Sequence, residues 1–477
     1  MKAERLYDKL PGVLQTAACS LYGWNLSRHR YGRHYKAIER EVQGREFMDE
    51  EALWAFQAGR LRRMVEHAAT TVPYYREQFK QLGIDYRDVR GAEDLAGLPV
   101  LDKETVQARL GDFVSERVGE MAVRTTHTSG TTGAALVFPM TWDADREQQA
   151  TWWRYRRRFG VDRSMWHGHF YGRPVVSLER ERPPFWRVNY PGRQIFFSGY
   201  HLRDEWLGYY VAELNRRRPS WIQGYPSFLS LLAGYMLAEG NALDYQPRVV
   251  MVGAETLLDQ QKELIARAFG TAPRQHYGMT EAVANFSECP AGNLHVDEDF
   301  SCVEFVSEGG ANRAQGGVQP RQLIVGTGLV NEAFVLLRYA VGDMVTGVVA
   351  KERCVCGRPG RVVCRVAGRT DDYVITPRGA RISWLGVLFK DMVNIREAQV
   401  VQRYMGQIEL HLVRMSSFTE KDKKRLLKEA RRRLGSDMSV QVVYKDELER
   451  SRSGKLKQVV SCLPRGQMDE VIKAAKG

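Results

Sequence analysis

The sequence lacks any long apolar run. No stretch approaches the roughly 18 to 20 residues that a membrane-crossing helix needs. The apolar patch LPGVLQTAACSLYGW near the N-terminus is broken by Pro, Gln and Thr. Neither a membrane span nor a cleaved export signal is expected. Cysteine is sparse, seven in 477 residues and irregularly spaced. That pattern argues against a disulfide framework and for a reducing, cytoplasmic setting. No internal repeat or low-complexity segment occurs. The nucleotide loop of the form G-x-x-x-x-G-K-[ST] is missing too.

What is present describes a globular protein of two or more domains, since 477 residues exceed one ordinary core. Apolar residues make up 44% and charged residues 27%, outside the range of disordered chains. The net charge of +13 is carried partly by clusters at Arg156 to Arg158, Arg216 to Arg218 and along KDKKRLLKEARRRL. Solvated helix faces are the first reading of such clusters. Attraction to nucleotides, CoA or an anionic membrane surface, with peripheral membrane association, is the second. TWWRYRRRF interleaves aromatics with arginines, but no compact recognition motif accompanies it, and no nucleic-acid partner is expected.

Along the chain, residues 1–100 have helical spacing, with MDEEALWAFQAGRLRRMVEHAATTV as one helix and another starting after Pro73. Strand-like pieces follow at ALVFPM and PVVSL. Alternating helix-like and strand-like stretches continue through SFLSLLAGYMLAEG, RVVMVGAE, DQQKELIARAFG and RQHYGM. This alternation predicts an α/β architecture, with ligands at the carboxyl ends of strands. From about residue 318 the texture turns β-rich. VVQRYMGQIELHLVRM then reads as one strand, followed by a basic helix and the strand SVQVVYK. A domain boundary is placed at Arg369 to Asp372, giving domains of 1–370 and 371–477 with Asp371 as hinge. The segment 166–192, rich in His, Arg and aromatics, matches no motif and is read as a surface excursion, with substrate or partner recognition as the alternative.

Chemistry concentrates in a few motifs. THTSGTTG, ending in Thr128-Ser129-Gly130-Thr131-Thr132-Gly133, offers two glycines and five hydroxyls in eight residues. Such a loop can turn several N–H groups on one anion. In QHYGMTE, Tyr277 offers a ring for a base, Thr280 a hydroxyl for a phosphate and Glu281 a carboxylate for Mg2+. RYAVGDM adds Asp343, suited to ribose hydroxyls, and GRTDD adds Arg369 and Asp371. SRSGKLK carries Lys455 on a glycine-flanked turn near the C-terminus. Cys289, His295, Cys354 and Cys356 form the Cys3His set that Zn2+ favours, although the C-x-C spacing is tighter than the usual C-x2-C.

The ordered set TSGTTG, GYPSFL, GAE, YGMTE, RYAVGD, GRTDD and SGKLK resembles the adenylate-forming ligase superfamily. More narrowly, the sequence is similar to its phenylacetate-CoA ligase-like branch and to CapK-type proteins of capsular polysaccharide loci. LPGVLQTAACSLYGWNLSRHRYG, VPYYREQF and DLAGLPVLDKETV extend the likeness over nearly the whole chain. The resemblance implies a large N-terminal domain of mixed sheets and helices with a β-rich subdomain, and a small mobile C-terminal α/β domain. It implies ATP-dependent carboxylate activation through an acyl-adenylate, with CoA as the default acceptor and an amine or a carrier-protein thiol as the alternative. A non-catalytic scaffold that kept the fold is the reading from another class, and a homodimer is compatible with the sequence.

Carried over by position, Thr128 to Gly133 would hold the β- and γ-phosphates. Tyr277 and Gly278 would meet one side of adenine, and Gly253, Ala254 and Glu255 the other. Thr280 would touch the α-phosphate and Glu281 the Mg2+, with Asp343 and Arg369 on ribose. Arg381 would lie near the phosphates, and Lys455 would contact the forming phosphoester. Tyr225, Pro226 and Met279 would line the acid pocket, made apolar with Phe228. A structural zinc at Cys289, His295, Cys354 and Cys356 is also implied. The lysine that many relatives carry just after the phosphate loop is Ala134 here.

Overall fold

In the computed structural model the described residues are 7–128, 136–172, 174–307, 321–349, 354–369, 373–377, 381–383, 385–389, 394–434, 437–450 and 455–463. The chain forms two compact units interleaved in sequence. The first comprises Met1–His167, Val188–Ile195 and Arg274–Ala367; the second comprises Gly168–Arg187, Phe196–Pro273 and Gly368–Gly477. Among the described residues no helix is long and apolar enough to cross a membrane.

The first unit begins with helices, as the apolar spacing predicts. Gly12–Arg30, Arg33–Gly44, Glu50–Thr71 and Pro73–Leu82 follow one another closely. Asp49 caps the third, its Oδ1 accepting from the Ala52 N–H at 2.7 Å. Leu53, Leu61, Met64, Val65 and Ala68 recur at helical spacing on its buried face. Pro73 opens the next helix, where its missing N–H is harmless, and Gly83 ends it at φ 64°. The strands of this unit run in the order Ser301–Ser307, Arg321–Gly328, Tyr339–Val349, Val362–Arg369, Leu294–Val296, Asn285–Glu288 and Arg274–Gly278. Helices Glu50–Thr71 and Pro73–Leu82 share one apolar core with these strands that includes Leu61, Phe113, Phe138, Phe286 and Leu337, while Tyr35 and Val42 of Arg33–Gly44 pack with Ala150 in a separate cluster.

In the second unit, Trp221–Gly224 pairs parallel with Val250–Gly253, in register at Gln223 and Met251. Helices Asp204–Arg217, Pro226–Ala238 and Asp259–Phe269 accompany them. The C-terminal stretch adds a four-stranded sheet in the order Ser439–Tyr444, Gln407–Arg414, Ile395–Gln402 and Val459–Ser461. Helix Glu420–Leu434 covers it, and Val400, Leu410, Leu426 and Val459 belong to its separate core.

Three sequence expectations change. VVQRYMGQIELHLVRM is a hairpin, turning at Gly406 with φ 75°, because the glycine reverses the chain between two apolar runs. PVVSL is not a strand: Val175 and Val176 are buried in a non-repetitive loop. A short apolar run is buried either way, so its pattern does not separate the two. The 166–192 segment is not simply a surface excursion: its two ends enter the core, while Leu178 to Arg182 stay largely exposed. It supplies strands His167–Tyr171 and Trp186–Asn189. Phe170 stacks on Phe197 at 4.4 Å and Phe185 on His201 at 4.8 Å. Phe170 and Phe185 are therefore packing groups, whereas Tyr190 stays exposed.

Candidate nucleotide and acyl-activation site

Strands Val123–His127 and Val137–Thr141 form an antiparallel hairpin that carries the Ser/Thr/Gly-rich loop. Thr128 closes its base. Its N–H donates to the Leu136 carbonyl at 3.0 Å, and its hydroxyl accepts from the Leu136 N–H at 3.0 Å. That hydroxyl is committed to the hairpin, a role the motif alone did not suggest. Ser129, Gly130, Thr131, Thr132 and Gly133 lie outside the described residues, as do Asp371 and the side chains of Arg369 and Arg381.

In the first unit, Tyr277 and Asp343 come together from 66 residues apart: the phenol donates to Asp343 Oδ2 at 2.8 Å. One face of the Tyr277 ring stacks on Phe286, with centroids 4.8 Å apart at 29°. Gly278 is dictated by its neighbours, since a Cβ there would sit 2.8 Å from Asn285 Oδ1 and 2.9 Å from His276 Cε1. Met279, Thr280 and Glu281 then form a tight turn ending at Ala282, φ 58°. The turn is held by the Gln148 side-chain amide donating to the Met279 carbonyl at 2.9 Å. Met279 itself packs, half-buried, on the apolar core.

Behind this strand lies a polar lattice that motif reading missed. Asn285 Oδ1 accepts from Trp152 Nε1 at 2.9 Å and meets His276 Nε2 at 3.0 Å. Burial holds the His276 imidazole down, near a pKa of about 3, helped by the nearby Arg156 and Arg158 charges. Helix Trp142–Arg157 supplies Gln148, Trp152 and Arg154. Arg154 is buried and donates to Asp297 at 3.0 Å and Asp299 at 2.8 Å. Arg158 meets Glu46 at 2.7 Å, and Arg157 meets Glu39 at 2.8 Å. The arginine cluster that sequence reading placed on a solvated face is internal wiring, because carboxylates from distant segments neutralise it. Only the adjacent Trp152 and Trp153, which suit the buried side of a helix, hinted at this.

In the second unit, the two parallel strands end side by side in turns, the usual ligand-facing position of such sheets. Gly224 is required because a Cβ would approach Phe170 backbone and side chain at 2.6 Å. Tyr225 is buried edge-on against Tyr171 at 4.9 Å and near Phe228 at 5.2 Å. Pro226 opens helix Pro226–Ala238. The other turn holds Gly253, then Ala254 at φ 66°. The Glu255 carboxylate turns to the helix start, accepting from Ser227 N–H and Oγ, both at 3.1 Å. It also accepts from the Leu456 N–H at 2.9 Å, one residue from Lys455. Burial raises the Glu255 pKa, opposed by the Arg450 charge and these donors.

The four metal-ligand candidates also converge, their ligand atoms all within 4.8 Å of one another. Cys289 and Cys354 sulfurs are 3.8 Å apart, and Cys356 Sγ is 3.4 Å from His295 Nε2. Zn–S bonds of about 2.3 Å in a tetrahedron place sulfurs about 3.8 Å apart, so the set fits zinc. Glycine turns position both halves, Gly292 at φ 86° and Gly357 at φ 76°. Asn293 Nδ2 donates to Cys354 Sγ at 3.1 Å, the kind of outer hydrogen bond that steadies a ligand.

Residues 374–462 match the family described as the CapK C-terminal domain. The chain is 25% identical over 457 residues to protein CapK of Staphylococcus aureus, covering 94% of this chain and 97% of that one. It is 27% identical over 359 residues to the phenylacetate-coenzyme A ligase of Thermus thermophilus, covering 71% and 74% respectively. Among solved structures it shares the fold of 2-hydroxyisobutyryl-CoA ligase in the postadenylation state in complex with R3-HIB-AMP. That match has a TM-score of 0.65 at 17% identity and covers 91% of this chain and 94% of that one. Residues 374–462 thus carry the CapK C-terminal domain, the chain as a whole is similar to CapK and to phenylacetate-CoA ligases, and its fold is that of an adenylate-forming CoA ligase.

Proposed function

We propose that the chain activates a small carboxylic acid with ATP and Mg2+ and passes the acyl group to a thiol, CoA by default. The observation that carries this reading is the Tyr277 phenol held on Asp343 at 2.8 Å, with one ring face already on Phe286. A stacking ring and a ribose acceptor are thereby fixed together before any nucleotide arrives. Preorganisation of this kind lowers the ordering cost of binding.

In the first half-reaction a carboxylate oxygen bonds to the α-phosphorus as the bond to the β-phosphate oxygen breaks, releasing pyrophosphate. Charge grows on the α-phosphate oxygens, so the protein's task is positioning and electrostatic stabilisation. Thr280 and Lys455 serve that task, Glu281 would hold Mg2+, which would add positive charge beside the phosphates, and Arg381 and the 129–133 loop take the outer phosphates. Asp343 and Arg369 take the ribose, and the 253–255 turn takes adenine through its backbone, since the Glu255 carboxylate serves Ser227 and Leu456. Tyr225, Pro226, Phe228 and Met279 give the acid an apolar, aromatic setting. In the second half-reaction the acceptor thiolate attacks the acyl carbon and AMP leaves. Segment 371–477 turns about Asp371 between the two steps. Cys289, His295, Cys354 and Cys356 would hold Zn2+ in a purely structural role, and the enzyme works in the cytoplasm.

Pyrophosphate release across a panel of carboxylic acids, with and without CoA, tests the reading. Acid-dependent release without CoA is expected, followed by an acyl-CoA mass when CoA is added. Product on an amine or a carrier protein would change the acceptor. Absence of acid-dependent release from the folded protein would leave the scaffold reading.

A further inference from the structure

We infer that Arg450 is a positioning residue that seats the Lys455 turn on the Gly253–Glu255 turn. Its consequence for catalysis rests on the function proposed above; its geometry does not. Arg450 and Leu456 form an antiparallel bridge next to Lys455. Each end of that bridge is tied to the segment 225–255. At one end, the Leu456 N–H donates to Glu255 Oε1 at 2.9 Å. At the other, Arg450 donates to Ser227 Oγ at 2.9 Å and pairs with Glu397. Its guanidinium also lies 4.7 Å from the Phe228 ring centroid.

Ser227 links the two ends. Its hydroxyl donates to Glu255 Oε1 at 3.1 Å while accepting from Arg450. Glu397 lies on strand Ile395–Gln402, so the same guanidinium also ties the turn to the C-terminal sheet. Two acids therefore bear on one guanidinium. Burial pushes both carboxyls above their usual range while Arg450 pulls both down. Without the guanidinium the two buried acids face each other with only Arg396 acting on Glu397, and the acceptor of the Leu456 N–H is held less firmly. A lysine does not replace it, because one ammonium lacks the planar fork that serves Ser227, Glu397 and the Phe228 face together.

The position matters because Lys455 precedes the anchored Leu456 by one residue. Fixing the Leu456 amide fixes where the Lys455 stem starts, and a displacement of about 1 Å is enough to cost about 10²-fold in a positioned reaction. Arg450 thus acts through Lys455 without touching the reacting atoms. Its loss is expected to weaken acyl-adenylate formation and spare acyl transfer.

Hydrogen exchange on the full chain tests the seat without any substrate. In the native protein the 455–463 backbone should be protected. Arg450→Ala, Arg450→Lys and Ser227→Ala should each speed its exchange about tenfold or more, with helix Glu50–Thr71 unchanged. Glu397→Gln provides a second route should Arg450→Ala fail to fold. Unchanged exchange of 455–463 in the folded variants would overturn the proposal. In the half-reactions, Arg450→Lys should cut acid-dependent pyrophosphate release at least tenfold and leave transfer from a pre-made acyl-adenylate within about twofold. Equal loss in both would mark a merely structural role and also overturn it. Faster exchange in the variants, with no pyrophosphate release by the native protein, would sustain the seat and sink the proposed function instead.

Discussion

Lys455 is the single charge on which the proposed first step leans most, since Ala134 replaces the lysine that many relatives place after the phosphate loop. Lys455→Ala should slow acid-dependent pyrophosphate release by about 10²- to 10³-fold, the order expected when one transition-state donor is lost. Transfer from a pre-made acyl-adenylate should be nearly unaffected; equal loss in the two assays would contradict the assignment. Gly278 makes a different demand. A methyl group there would press on Asn285 and His276, and neither is free to yield, because Asn285 also holds Trp152 and Asp297. Gly278→Ala should therefore cost about 1–3 kcal/mol of stability, seen as a lower urea midpoint, and weaken ATP binding. The sequence singles out both residues because each stands in a short motif whose chemistry is local. It does not single out Arg450. Its partners Ser227 and Glu397 are 223 and 53 residues away, and its own neighbourhood in sequence is an ordinary charged turn.

At the level of elements, the Cys/His cluster joins two turns whose adjoining strands, Leu294–Val296 and Val362–Arg369, pair side by side. The Cys289–His295 turn links strands Asn285–Glu288 and Leu294–Val296, and the Cys354–Gly357 turn precedes strand Val362–Arg369. Protein purified without chelator should carry close to one zinc per chain. Cys356→Ser should lose the metal and lower the melting temperature while leaving acid-dependent pyrophosphate release measurable below it. Zinc well below one equivalent in the native protein would refute the site. The cysteine and histidine types were readable, but their convergence was not, because two turns 65 residues apart meet only once the strands between them are paired. Helix Trp142–Arg157 gives the opposite lesson. Its arginines looked solvated because a helix pattern does not reveal carboxylates supplied by segments 39–46 and 297–299.

Across the whole molecule, buried titrating groups set the response to acid. Burial holds His167 and His276 near a pKa of about 3 in the folded chain, against roughly 6.5 when unfolded. Between those values the unfolded chain binds more protons, so stability falls as pH drops from about 6.5 toward 3. Burial opposes ionisation of Asp299, yet Arg154, Arg45 and Arg60 hold its pKa at about 2. Its contribution is complete above the unfolded value of about 3.9 and is lost as pH falls through 2. The urea midpoint should decline steadily from pH 7 to 4, and His276→Asn should flatten that slope by up to about 1.4 kcal/mol per pH unit. An unchanged slope would show that His276 does not titrate on unfolding. The interleaving of the two units carries a consequence for biosynthesis. Residues leave the ribosome in order, yet Met1–His167 must wait for Arg274–Ala367 to complete its unit, with most of the other unit's central segment emerging in between. Nascent chains of about 270 residues therefore expose apolar helix faces without their sheet, a state prone to aggregate. A chain stopped at residue 273 should be insoluble without chaperones, whereas one ending near residue 370 should have its first unit protected from protease.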